Sequence, residues 1–498
     1  MPASDTLLGP EKVPYGAQLV EMSSNGKDIF VISDLHIAAG LNSNRNYDGT
    51  ENFFADYSFV RFLHHLEKKI TPNKKGLLII NGDLVDFLRI KNIPVTPQDF
   101  GTWAAILDAI GLPIPIDQLK TSLSPKEIKY GLRTDDYKSV WKLYVCAGGH
   151  PQFFEQLASW LESGNELVIT KGNHDLEWYW KPVRNYFRYL LAQRIAARQN
   201  IDLESVLKDI VHPAVHFIDN RLILDRQICV EHGHNYERFT TVDGPPVLKG
   251  DTQLNLPFGS FFNRYLINRI ELAYPYIDDV RPRQNILSLL LRERFPLAIQ
   301  LLFNYIPFVI LVIPKKQYAY AFKYLFQFVL IIVLPLLVTA FALYKGFHGI
   351  PKTDNVSAAG SGFWTPVLSE LKNLLFLSLS YFIGRLFAML QLSSPSSLFP
   401  NAKRIFEENP MLQLVTFGHT HDPEQVFVEG VSDRGRRYCN TGTWIPVFEM
   451  DAADVRLDRT FTFLHIERNS AGDIRLPDLY RWNDDAKRED ALVLIDRK

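Results

Sequence analysis

Asp, His and Asn recur in five short clusters along the 498-residue chain: Asp34-Leu35-His36, Gly82-Asp83-Leu84-Val85-Asp86, Gly172-Asn173-His174-Asp175, His232-Gly233-His234 and Gly418-His419-Thr420-His421. Carboxylate, imidazole and amide oxygen are donors for Mn, Fe, Zn or Mg, and the lack of cysteine in the set argues against a soft-metal cluster. The donors are too many for one ion, since a catalytic zinc takes about three protein groups. Two cations sharing one carboxylate accommodate the number. Such a pair clamps the attacking and leaving oxygens of a phosphoester and makes hydroxide available near neutral pH. Each cluster alone also reads as turn chemistry, because Gly, Asn and Asp favour tight turns. Their repetition in order favours metal.

Each cluster follows a short apolar run: Ile29-Phe30-Val31-Ile32, Leu77-Leu78-Ile79-Ile80, Leu167-Val168-Ile169-Thr170, Ile228-Cys229-Val230 and Leu414-Val415-Thr416-Phe417. Runs of this length, rich in β-branched residues, predict buried strands. Polar residues at the carboxyl ends of such strands gather on one rim of an open α/β sheet. Residues two apart in a strand exit face one side, so His419 and His421 can reach the same centre.

The five motifs, in this order, resemble the calcineurin-like metallophosphoesterase superfamily over residues 27–240 and 411–466. The resemblance implies an α/β fold, a two-sheet αββα metallophosphoesterase sandwich, here interrupted by a hydrophobic helical insert. It implies that Asp34, His36, Asp83 and His421 bind one metal and that Asp83, Asn173, His232 and His419 bind a second, with Asp83 bridging. His174 would face the leaving group, and Asp86 would hold it in the useful tautomer. Asn440-Thr441-Gly442-Thr443-Trp444 is similar to the Asn-Thr-Gly-Ser-Trp element that follows the last histidine motif in this superfamily. The phosphoprotein phosphatases carry Arg after the second Asp and Glu after Asn-His, where this chain has Phe87 and Asp175. Ser33-Asp34-Leu35-His36, Gly82-Asp83-Leu84-Val85-Asp86-Phe87 and Glu231-His232-Gly233-His234 look closer to the UDP-2,3-diacylglucosamine diphosphatase branch. That branch has Asp where His234 stands. His234 reads as a substrate contact, a support for a ligand, or a histidine satisfied by a backbone carbonyl.

A net charge of −1 gives no basic bias, so nucleic acid is not an expected partner. The 47% hydrophobic content excludes a disordered chain. Three cysteines without paired spacing fit a reducing compartment. Met1 to Lys27 lack the basic-then-apolar pattern of a signal peptide, so the catalytic part is expected in the cytoplasm.

The organisation read from the sequence is a polar lead-in at 1–26, a first catalytic part at 27–240, a basic and hydrophobic insert at 241–410, and a second catalytic part with a tail at 411–498. Within the first part, residues 90–150 read as a cap-like insertion or as decoration on the rim. Pro94-Val95-Thr96-Pro97 and Pro113-Ile114-Pro115 mark its loops, and Tyr137–Trp141 and Phe153–Leu161 have helical apolar spacing. Thr460–Arg468 alternates like a late strand, and the charged tail reads as loosely held.

The insert begins with Arg264, Arg269, Arg281, Arg283, Arg292 and Arg294, then carries apolar stretches at Ala298–Ile313, Tyr324–Leu343 and Asn373–Leu392. Tyr324–Leu343 has no charged residue and the length of a bilayer crossing, for which about 20 residues are needed. Arg385 interrupts the third stretch at a cost. Motifs on both sides of the insert must meet, so the chain crosses an even number of times or lies in the interface. Arg292, Arg294, Lys315, Lys316, Lys323, Lys403 and Arg404 flank the site-bearing side, as a membrane protein with a cytoplasmic catalytic domain would have it. The expected function is hydrolysis of a phosphate ester or diphosphate with two divalent metal ions, manganese first among them. The substrate is expected to be lipid-linked at the membrane, with His234, Arg264 and Arg269 as substrate contacts. The alternatives are a phosphodiesterase on a soluble nucleotide, with the insert as an anchor, and a non-catalytic membrane-bound scaffold.

Overall fold

The computed structural model describes residues 18–264 and 397–494, apart from short gaps at 238–239, 429–434, 450–453, 456–459, 469–473, 476 and 493, together with positions 15, 16, 268–271, 280, 281 and 296. The strands named below are β1 (Leu19–Met22), β2 (Asp28–Ile32), β3 (Gly76–Asn81), β4 (Glu166–Thr170), β5 (Val215–Ile218), β6 (Arg221–Leu224), β7 (Ile228–Glu231), β8 (Leu414–Phe417), β9 (Glu424–Val428), β10 (Arg436–Asn440), β11 (Thr462–Ile466), β12 (Leu479–Asn483) and β13 (Arg488–Ala491). The helices are α1 (Asp56–Lys69), α2 (Pro97–Ala109), α3 (Asp136–Gly149), α4 (Pro151–Glu162), α5 (Lys181–Gln199) and α6 (Phe399–Glu408).

Alternation along the strands builds the layers. In β2, Ile29 and Val31 enter one core while Phe30 and Ile32 enter another, and in β3 Leu77 and Ile79 part from Leu78 and Ile80 in the same way. The first core also takes Leu222 and Leu224 of β6, Val230 of β7 and Leu414 of β8, so it lies between two sheets. The second core packs the far face of the β2–β3 sheet against α1 to α5. A third core packs Cys229, Val415 and Phe417 against Ala402, Ile405 and Phe406 of α6. The result is an α/β fold of two mixed sheets with helices on both outer faces. Burial on both faces explains why the motif-bearing strands read as continuous apolar runs.

One sheet has six strands in the order β1-β6-β7-β8-β10-β9, and the other has seven in the order β13-β12-β11-β2-β3-β4-β5. Within the second sheet β2, β3 and β4 run parallel in adjacent register; within the first, β7 and β8 run parallel, as do β8 and β10. All five motif-bearing strands thus end on a shared rim.

Three boundaries differ from expectation. Residues 19–22 of the lead-in form β1, which pairs with β6. The charged tail supplies β12 and β13, held to α1 by Arg61 against Asp484 and by His65 and Lys69 against Glu489. The residues flanking the insert belong to the motif-bearing unit: the chain divides into one compact unit of residues 1–280 and 395–498 and another of residues 281–394.

The 90–150 insertion is helical. Thr96 caps α2 in a reciprocal box with Asp99, behind Pro97 in the first turn. Tyr137–Trp141 and Phe153–Leu161 fall in α3 and α4. Trp103, Leu107, Val140 and Leu143 join the core under the seven-stranded sheet's outer face, as decoration packed on the fold would. Among the described residues no helix is long and apolar enough to cross a membrane. Ala298–Ile313, Tyr324–Leu343 and Asn373–Leu392 lie outside the described residues.

Candidate metal centre

Strand exits place the donors, and their backbones are tied to one another. Asp34 N donates to Gly82 O, and His36 N to Asp83 O at 2.9 Å. His174 N donates to Asp83 Oδ1 at 2.8 Å, and His419 N to the Asp34 carboxylate at 3.0 Å. Thr443 Oγ1 and Trp444 N both donate to Asp34 O, which ties the Asn440–Trp444 element to the first motif. Asp34, His36, Asp83, His419 and His421 all have φ between 49° and 71°. Non-glycine residues in this left-handed region cost of order 1–3 kcal/mol each, and such strain clusters at functional sites.

Two glycines let the strand exits approach this closely. A Cβ on Gly172 would stand 2.1 Å from Asp83 Oδ1, and one on Gly82 would stand 2.3 Å from the His232 ring. The turns need glycine because the neighbouring donors occupy the space a side chain would take.

The donors form groups that share members. Asp34, His36 and His421 make one; Asp83, His232 and His419 make another; His36, Asp83 and His174 make a third. His36 Nε2 lies 2.9 Å from His421 Nε2, 3.9 Å from Asp34 Oδ1 and 3.7 Å from Asp83 Oδ2. His421 Nε2 lies 3.5 Å from Asp34 Oδ1, and His232 Nε2 lies 3.1 Å from Asp83 Oδ2. Donors about 2.0–2.2 Å from one tetrahedral ion stand roughly 3–4 Å apart, so these spans fit cations held between them.

The donor chemistry points the same way. His232 Nδ1 lies 2.8 Å from Asn81 O, which can only accept, so Nδ1 carries the proton and Nε2 is the atom turned on Asp83. Asn173 Oδ1 is buried with no hydrogen-bond partner among the described residues. An orphaned buried acceptor is costly unless something positive meets it. Burial pushes the His232 imidazole down, but the Asp83 and Asp34 carboxylates outweigh it and raise it to about 9. Burial likewise opposes charge on His36, yet its hydrogen bonds to Asp34 and Asp86 and the Asp83 charge lift it well above the ordinary value. Burial pushes Asp83 up, and the His232 and His174 imidazoles pull it well below the carboxylate range. The pocket therefore demands positive charge, which protons or bound cations can supply in exchange for each other.

Asp86 Oδ2 collects three donors: His174 Nδ1 at 2.8 Å, Arg89 Nε at 2.9 Å and His36 Nδ1 at 3.3 Å. Burial opposes ionisation of Asp86, but His174 and the other donors hold its carboxyl far below the usual range. His174 is 16% exposed in its side chain, against 0% for Asp86, so the ring sits between a buried carboxylate and the opening. Asp175 accepts from Leu84 N at 2.9 Å, Gly172 N at 2.6 Å and Trp178 Nε1 at 2.9 Å, locking the second and third motifs together.

Of the expected substrate contacts, His234 is buried with its ring 5.4 Å from His232. Burial and the charges of His232, Lys171 and His419 push its pKa well below the ordinary value, which favours the neutral ring. Its Nδ1 has no partner among the described residues, unlike a histidine satisfied by a backbone carbonyl. Arg264 is also buried, and its guanidinium donates to the carbonyls of Gly131 and Leu132. That geometry ties one chain segment to another. The side chain of Arg269 lies outside the described residues.

Three residues escaped the sequence reading. Glu237 Oε2 lies 3.1 Å from His419 Nε2, Arg89 holds Asp86, and Glu271 pairs with Arg89. Arg89 had a local signal, standing three residues after a motif carboxylate. Glu237 and Glu271 had none, because their partners are distant in sequence. Comparison with protein-family models finds no match, and neither does comparison with curated proteins.

Proposed function

We propose that the chain is a hydrolase of the calcineurin-like metallophosphoesterase superfamily, nearest in motif spelling to the UDP-2,3-diacylglucosamine diphosphatase branch. It acts on a phosphate ester or diphosphate. The observation that carries this reading is the pair of buried Asp/His groups on one rim, with the orphaned Asn173 oxygen in the adjoining loop. Asp34, His36, Asp83 and His421 would hold one divalent cation, and Asp83, Asn173, His232 and His419 the other. Manganese suits these donors, as do iron, zinc and magnesium. When bound, the pair supplies Lewis-acid charge toward phosphoryl oxygens and a nucleophilic oxygen at neutral pH.

The chain's own residues do the rest. Asp86 accepts a hydrogen bond from Nδ1 of His174, which fixes the tautomer and leaves Nε2 for the substrate. Burial resists charge on His174, but the Asp86 and Asp83 carboxylates outweigh it and raise its pKa. The imidazolium so favoured donates its Nε2 proton to the leaving oxygen as the phosphorus–oxygen bond breaks. Neutral His234 offers a further donor or acceptor to the substrate.

A lipid-linked substrate is the reading supported by Tyr324–Leu343, uncharged and long enough for one bilayer crossing. The catalytic unit then sits at the cytoplasmic face of the membrane, where basic residues gather. Hydrolysis by the manganese-loaded full chain of a detergent-dispersed lipid diphosphate, a soluble nucleotide and an aryl phosphodiester tests both halves. The lipid diphosphate should be cleaved fastest. Preference for the nucleotide would overturn the lipid assignment, and no turnover on any of the three would overturn the hydrolase.

A further inference from the structure

Three buried side chains run in series from His174 to the segment that follows the His232 motif. His174 Nδ1 rests on Asp86 Oδ2, the same oxygen accepts from Arg89 Nε, and Arg89 Nη1 is paired with Glu271. Arg89 is 3% exposed in its side chain and Glu271 1%. The turn Asn268–Glu271 is fastened to the same loop by two more bonds. Asn268 Nδ2 donates to Leu88 O at 2.8 Å, and Lys91 Nζ donates to Asn268 O at 3.0 Å.

A buried ion pair is weak grounds for a stability role, because well-packed apolar residues serve stability as well or better. What the pair does supply is fixed geometry. Asp86 Oδ2 serves His174, His36 and Arg89 together, so the position of the Arg89 fork bears directly on how His174 is held. Glu271 holds Nη1 of that fork, and so fixes the direction in which Nε is presented to Asp86 Oδ2.

We infer that Glu271, acting through Arg89, is a positioning residue for His174. The inference rests on the reading of His174 as the group that protonates the leaving oxygen. The segment entering the insert thereby belongs to the working parts of the site, although no sequence motif marks it.

The test compares two phosphoesters, one with an activated nitrophenyl leaving group and one with a poor alkyl leaving group, on the metal-loaded full chain. His174→Asn should lower alkyl-ester turnover far more than nitrophenyl-ester turnover, because the good leaving group needs no proton. Glu271→Gln should reproduce that discrimination more mildly. We expect about 10–100-fold loss of kcat on the alkyl ester, the range for removing a support behind a functional histidine. The nitrophenyl ester, KM and metal content by native mass spectrometry should stay near wild type. The double variant Arg89→Met with Glu271→Met keeps an apolar pair in place. It should melt like wild type and still show the alkyl-ester defect. If the double variant and Glu271→Gln turn over both esters like wild type, or lose both equally, while His174→Asn discriminates, the positioning role is wrong and the His174 reading stands. If His174→Asn itself fails to discriminate, both fall.

Discussion

His36 Nε2 and His421 Nε2 face each other at 2.9 Å although 385 positions separate them along the chain. His36 already offers Nδ1 to Asp86, so its Nε2 is the atom left to meet a second imidazole across a pocket lined by Asp34 and Asp83. Two imidazole nitrogens in this relation suit a shared cation. The same motif turns that bring them together hold both side chains on left-handed backbone.

Removing the group assigned to the leaving oxygen should separate binding from chemistry. His174→Ala is expected to retain metal, measured by elemental analysis, while turnover falls by about 10²–10⁴. Wild-type turnover in this variant would remove His174 from the mechanism.

Glu237 makes a different demand. Its carboxylate meets His419 Nε2 at 3.1 Å, as a carboxylate that orients a metal-binding histidine does. Glu237→Gln is expected to weaken manganese binding by about 10–100-fold in a calorimetric titration, with the melting temperature of the metal-free protein little changed. Unchanged affinity would make the contact incidental.

The triad of His150, Glu51 and Asp56 predicts a pH window for stability. His150 is wholly buried, with Nδ1 3.0 Å from Asp56 and Nε2 3.1 Å from Glu51. Burial pushes the imidazole down, but Glu51 and Asp56 outweigh it and raise its pKa from 6.5 to about 9. A raised folded-state pKa contributes stability that is full below pH 6.5 and is lost as pH rises through about 9. The contribution is on the order of 3 kcal/mol. Denaturant unfolding at pH 6 and pH 9.5 should therefore show wild type losing more stability than His150→Asn. Equal losses would contradict a buried imidazolium.

Much of the site was legible because its signals are local. Each motif follows a strand that is buried on both faces, so periodicity collapses into a short apolar run ending at the rim. That pattern marks the five clusters, and the family resemblance names Asp34, His36, Asp83, Asn173, His232, His419 and His421 within them as the metal ligands it implies. The Asp86–His174 pairing was implied by the family resemblance and is present at 2.8 Å. Long-range pairing was not legible. Arg264 was read as a substrate contact, and its bonds to carbonyls 132 and 133 positions away carried no sequence signal. The tail looked loose because β12 and β13 are polar on one face, and their hold on the fold comes from pairing with β11 and from Arg61, His65 and Lys69 of α1. Helix α6 was absorbed into the insert, although Ala402, Ile405 and Phe406 mark one apolar face at helical spacing.

In the proposed centre, donors from Asp34 to His421 converge on two cations that share Asp83. Native mass spectrometry of the full chain supplied with manganese measures this directly. Two divalent ions per wild-type chain, and loss of both metal loading and turnover in Asp83→Asn, is the predicted result. A wild-type chain carrying one ion or none, or an Asp83→Asn chain that still carries two, would contradict it.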